Sequence, residues 1–115
     1  MDHPERRKHP RFTLSLPVEV YAEGSDTPIR FATSDLSLDG CYVETMFPFP
    51  VGIRVDLKLQ LGESTVLIVG KVVTSHTQVG NGIEFVQSLP EDLQELRAFL
   101  DSVASQQASE KAKDP

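Results

Sequence analysis

With 115 residues, the chain has room for one domain built on a single core. Its 39% apolar and 24% charged residues suit an ordinary globular domain, and a net charge of −6 argues against general nucleic-acid or membrane-surface binding. No apolar run approaches the ~20 residues of a membrane span, and the charged opening MDHPERRKHPRF has no apolar segment behind it. The expected location is therefore the cytoplasm, with no membrane insertion. The lone cysteine, Cys41, has no internal disulfide partner and reads as a small apolar strand residue.

Residues 1–11 lack apolar periodicity and read as a flexible arm, since Pro10 biases His9 toward extended backbone. The folded domain is expected over residues 12–104. From Phe12 to Tyr21 a first strand places Leu14, Leu16, Val18 and Val20 on one face, with Pro17 confining it to an edge or bend. Turn chemistry at Glu23–Pro28 separates it from strands predicted over about Ile29–Asp35 and Cys41–Thr45. A proline-punctuated loop, Phe47–Gly52, leads to the clearest strand, where Ile53, Val55, Leu57, Leu59 and Leu61 alternate with polar residues. Gly62-Glu63 turns the chain into a β-branched stretch, Ser64–Ser75, with Gly70 marking a bulge or bend. Asn81-Gly82 carries a turn signal before a last strand, Ile83–Val86.

The end changes character. Ser88 and Glu91 fit a capping box with Pro90 in the first turn, and Leu93, Leu96, Leu100 and Val103 form one apolar stripe. A helix over 89–104 is predicted, followed by a disordered tail over 105–115. Six short strands and one terminal helix point to an all-β fold, a small six-stranded antiparallel β-barrel with the helix over one opening or face.

Catalysis finds little support. None of His3, His9 and His76 stands at metal-ligand spacing from Cys, Asp or Glu, and no nucleophile elbow, phosphate loop or dinucleotide fingerprint occurs. Asp35 and Asp39 read as polar loop residues rather than an acid–base pair. The chain is expected not to be an enzyme, and no catalytic residue, metal or cofactor is assigned.

Charge is unevenly spread: residues 1–11 carry +2 through Arg6, Arg7, Lys8 and Arg11, which leaves −8 for the remainder. A cationic arm on an acidic body favours a local anion site over a long polyanion. Arg7 and Arg11 stand four apart, up to ~13 Å in extended chain, within reach of the phosphates and bases of one dinucleotide. Asp35-Leu36-Ser37-Leu38-Asp39-Gly40 lies between two predicted strands. Its carboxylate can accept guanine N1–H and the N2 amino group together, and Gly40 permits close backbone approach. Taken singly, the first is also compatible with a solvated arm and the second with a hairpin turn.

Together they are specific, because R-x-x-x-R followed by [DN]-x-S-x-x-G arises by chance on the order of once in a hundred chains of this length. Arg7–Arg11 and Asp35–Gly40 resemble the two signature motifs of the bacterial PilZ family. The resemblance continues through the strand after Gly52, Gly82–Phe85 and the closing helix. It implies a PilZ-like barrel that binds the second messenger cyclic di-GMP (c-di-GMP). In that reading Arg7 and Arg11 contact phosphates and guanines, Asp35 and Ser37 hold a guanine, and Gly40 keeps the turn tight. Arg6 is similar to an arginine of family members that bind two intercalated ligands. Asp39 departs from the pattern, which often has a second glycine, and a carboxylate pointing inward there weakens binding.

The function this implies is a signalling receptor in which nucleotide binding docks the arm and alters contact with a partner protein still to be identified. One alternative is a PilZ-like interaction module of motility or pilus assembly that binds no nucleotide. The other is a small RNA- or single-stranded-DNA-binding barrel, which calls for exposed stacking aromatics. Trp is absent and Tyr21, Tyr42 and the six phenylalanines fall mostly in core-like or loop positions, so no nucleic-acid polymer is expected as partner.

Overall fold

A computed structural model describes residues 9–113. Six strands, β1 (Pro17–Ala22), β2 (Ile29–Leu36), β3 (Gly40–Glu44), β4 (Arg54–Leu61), β5 (Ser64–His76) and β6 (Gly80–Ser88), precede one helix, α1 (Pro90–Lys113). The strands close into a barrel in the order β1-β2-β3-β6-β5-β4, every pairing antiparallel. The expected fold class therefore holds.

Period-2 alternation explains the barrel wall. Val55, Leu57, Leu59 and Leu61 of β4 are buried while Arg54, Asp56 and Lys58 face out. Val18 and Val20, Leu36, Cys41 and Val43, Val66, Ile68, Val72 and Ile83 complete the strands' share of the interior. Gly70 sits at a register shift between β5 and β6, where a Cβ would come 2.6 Å from the Ile83 side chain. The helix lies against β5: Leu96 and Leu100 join the core, Phe99 packs on it, and the Asp92 and Glu95 carboxylates accept bonds from Leu67 N and the Ser64 hydroxyl. No helix among the described residues is long and apolar enough to cross a membrane.

Four local expectations are corrected. The first strand begins at Pro17, and Phe12–Leu16 is instead tied down by separate bonds. Phe12 and Leu36 exchange backbone bonds of 2.9 Å, while the buried Thr33 hydroxyl donates to Leu14 O (2.6 Å) and accepts from Leu16 N (3.0 Å). The Asn-Gly pair is not a turn. The chain turns at Thr77–Val79, where Gln78 takes φ 62°, and Asn81 lies fully buried inside β6. The glycines that mimicked a turn signal serve close packing, since a Cβ on Gly80 would strike Val43 O and one on Gly82 the Thr74 hydroxyl.

The other two corrections concern the helix. Ser88 is the last residue of β6, paired with Ile68, so the expected capping box does not form; Leu89 O accepts from Leu93 N instead. The helix then runs to Lys113, past the expected end at 104 and through most of the expected disordered tail. No Pro or Gly interrupts residues 105–113, and Ala, Gln, Glu and Lys are good helix formers, so a polar stretch can extend a helix already nucleated by packing. Of the expected 1–11 arm, only His9–Arg11 falls among the described residues.

Candidate ligand-binding site

The site begins with a break in strand register. Thr33 pairs with Val43 but Asp35 pairs with Tyr42, so β2 carries one extra residue, Ser34, as a bulge. Without it Asp35 would share the inward face of Thr33. With it Leu36 goes into the core and Asp35 turns outward beside Tyr42, about a third exposed at 31%. One inserted residue thus converts a strand end into a rim carrying a carboxylate.

The turn after β2 is held from within. Ser37 N donates to Gly40 O at 2.9 Å, and the Ser37 hydroxyl accepts from Asp39 N at 3.2 Å. That hydroxyl donates to Asp39 Oδ1 at 2.6 Å, with Gly40 O a more distant acceptor at 3.4 Å. Asp39 O in turn accepts from Phe85 N at 2.9 Å, tying the turn to β6. Gly40 has a steric reason: a Cβ there would lie 2.5 Å from Ile83 O in the adjoining strand.

The chain entering the barrel supplies the opposing charge. The backbone exchange between Phe12 and Leu36 fixes where residue 11 emerges, and Arg11 Nη1 comes to 3.8 Å from Asp35 Oδ2. At that length, and with Arg11 52% exposed, the pair contributes little stability but brings the two motifs to one place. Arg6 and Arg7 lie outside the described residues.

Arg11, Asp35, Ser37 and Gly40 all line one open cavity of about 570 Å³, within the size range of small-molecule sites. Its far wall holds residues that sequence reading did not single out, Tyr42 and His76. Their rings stack at 6.0 Å and 29°, and the Tyr42 hydroxyl lies 2.9 Å from His76 Nδ1. Tyr42 crosses β6 because Gly80 has no side chain; a Cβ there would fall 2.8 Å from Tyr42 Cε1. The available signal was the outward phase of Tyr42 between buried Cys41 and Val43, together with the two alternate glycines of β6. Charged lining consists of one arginine and three carboxylates, Asp35, Asp39 and Glu84, which is −2 with His9 and His76 neutral. Beneath the wall, burial and then the Asp35 charge push the Cys41 thiol up to about 12. Among the described residues no group of three His, Cys, Asp or Glu is placed to hold a metal.

A family model of the PilZ domain matches residues 5–102. The chain belongs to the PilZ domain family. Solved structures agree on the PilZ fold. The PilZ domain of YcgR from Escherichia coli with c-di-GMP is 17% identical, with a TM-score of 0.71, and the match covers 96% of this chain and 99% of that one. The complex of YcgR with c-di-GMP is 19% identical at a TM-score of 0.76, covering 94% of this chain and 50% of the other. The inhibitor of motility MotI/DgrA from Bacillus subtilis is 20% identical, with a TM-score of 0.76, covering 95% of this chain and 55% of that one. This chain thus spans about half the length of the last two. No curated protein matches it in sequence.

Proposed function

We propose that this PilZ domain is a receptor for c-di-GMP rather than an enzyme, and that the nucleotide occupies the cavity beside Asp35. The observation that carries this reading is the meeting of Arg11 and Asp35 at 3.8 Å on the rim of a cavity of about 570 Å³. An arginine fork can grip a phosphate or the O6/N7 edge of guanine, and a carboxylate can accept N1–H and N2–H of the same base. Asp35 projects from the sheet through the Ser34 bulge, and Gly40 leaves room at the turn. The two solved E. coli YcgR structures contain c-di-GMP, which adds support by likeness of fold.

In this reading Arg6 and Arg7 add phosphate and guanine contacts from the arm. Ligand binding then docks the arm on the barrel and reshapes a surface for a partner protein. No cofactor is needed. A second reading, an interaction module that binds no nucleotide, is favoured by the −2 lining of the cavity and by the exposed Met46, Phe47 and Val79.

Calorimetric titration with c-di-GMP separates the two. The receptor reading expects heat at micromolar concentrations, with Arg11→Ala and Asp35→Ala each weakening binding by at least ~1.5 kcal/mol, about tenfold. Their melting temperatures should stay near that of the parent, because the ion pair they break is long and exposed. Absence of heat in the parent protein would select the second reading. Normal binding by Arg11→Ala would remove the arm from the site.

A further inference from the structure

The turn that carries Ser37 contains a competitor for it. Ser37 is only 3% exposed, and its one donor is already engaged: the hydroxyl accepts from Asp39 N at 3.2 Å and donates its single proton to Asp39 Oδ1 at 2.6 Å. A charged acceptor at that separation makes the strongest hydrogen bond available to a hydroxyl. The carboxylate doing this belongs to the cavity lining, where Asp35 and Glu84 also stand against Arg11 alone among the described arginines and lysines. Nothing in the backbone calls for this side chain. Gln78 is the one described non-glycine residue at positive φ, so Asp39 sits in an ordinary backbone conformation open to any residue. The turn keeps its anchor through Asp39 O and Phe85 N whatever side chain is present.

We propose that Asp39 is the affinity-determining residue of the site, holding the Ser37 hydroxyl inside the turn and setting a negative charge beside an anionic guest. The proposal rests on the c-di-GMP reading for the identity of the guest but not for the competition itself. Two effects combine. Charge opposes the approach of a phosphate regardless of Ser37, whereas the hydrogen bond withholds a donor that a guest could otherwise use. The site is therefore tuned toward weak binding.

The two effects separate by substitution. Asp39→Asn removes the charge and retains an acceptor for Ser37; Asp39→Ala removes both. In calorimetric titrations with c-di-GMP, Asp39→Asn should bind about fivefold tighter than the parent and Asp39→Ala about tenfold or more. Ser37→Ala should change affinity less than about twofold in the parent, and cost about fivefold in the Asp39→Ala background, where the hydroxyl proton has lost its carboxylate acceptor and keeps only the distant Gly40 O at 3.4 Å. Equal or weaker binding by Asp39→Ala overturns the proposal, as does a Ser37→Ala loss of the same size in both backgrounds. A readout without nucleotide covers the case in which the parent and all variants fail to bind c-di-GMP, which would end the receptor reading. Inorganic pyrophosphate titrated against the amide resonances of residues 35–40 should then shift Asp39→Ala further than the parent; identical shifts would end the Asp39 assignment. Thermal melts of the variants, expected within a few degrees of the parent, show that the turn has kept its fold.

Discussion

Two segments outside the strands are fastened to the barrel in the same manner, and they differ in what they leave loose. The 45–53 loop joins β3 to β4, which are not neighbours, so it crosses a mouth of the barrel. Buried Asn81 grips it on both sides of one residue: Oδ1 accepts from Phe49 N at 2.8 Å, and Nδ2 donates to Phe49 O at 3.0 Å and to Thr74 O at 3.1 Å. The Phe49 ring packs edge-on against Phe31 at 6.1 Å. The entering segment is gripped by buried Thr33 at Leu14 and Leu16 and by Leu36 at Phe12, and the fastening stops there. Beyond Phe12, the contact of the Arg11 side chain among the described residues is its long pair with Asp35. One buried polar side chain seals a mouth; the other delivers a charged residue to the rim of a cavity and leaves it adjustable.

The largest effect is expected at Asn81. Asn81→Ala removes three bonds and leaves the amide and carbonyl of Phe49 without these partners, at a cost of about 3 kcal/mol in urea denaturation. Affinity for c-di-GMP, measured on the fraction that remains folded, should hardly move, because Asn81 does not line the cavity. Thr33→Val is the matching test. It keeps shape and branching but loses two bonds, for about 2 kcal/mol, and it should also weaken ligand binding severalfold by loosening the segment that delivers Arg11. If Thr33→Val left affinity untouched while destabilising the barrel, the entering segment would be structural alone and the contrast would fail.

These two anchors also mark the limit of what the amino-acid order discloses. Ile53–Leu61 and the core-facing Leu96 and Leu100 of the helix were legible from apolar spacing, although Leu93 of the same predicted stripe stays exposed, and most strand positions followed to within a few residues. Asp35, Ser37, Gly40 and Arg11 were singled out by motif, and the structure brings all four to one cavity; Arg6 and Arg7 remain outside the described residues. Thr33 and Asn81 were illegible since a buried polar residue looks like a surface one until its partners, 7 to 32 positions away, are known. The Ser34 bulge was hidden for the same reason: with polar Thr33 pointing inward, no apolar phase shift announces it. Asn-Gly misled because the two-residue turn it favours and the close strand packing that excludes a Cβ both select glycine.

The smallest expected effect sharpens the contrast between the two faces of β3, one toward the cavity and one toward the core. The Tyr42 ring faces the cavity while the side chain of Cys41, its neighbour, is buried in the core, with the thiol pushed up to about 12, chiefly by burial and secondarily by the charge of Asp35. In the folded chain this thiol keeps its proton well above the pH at which an unfolded one releases it. Between the ordinary value of 9.0 and about 12 the unfolded state therefore binds fewer protons than the folded state, and stability falls as pH rises, by at most about 1.4 kcal/mol per unit. Below that window Cys41 contributes no pH dependence. Cys41→Val, similar in size and unable to ionise, should lose about 1 kcal/mol less stability than the parent from pH 9 to pH 10, when urea midpoints of the two are compared across that range. Lysine and tyrosine titrations are common to both proteins and cancel in the difference. Parallel curves, or ready alkylation of Cys41 in the folded protein at pH 9, would mean that the wall between cavity and core opens far more readily than its burial implies.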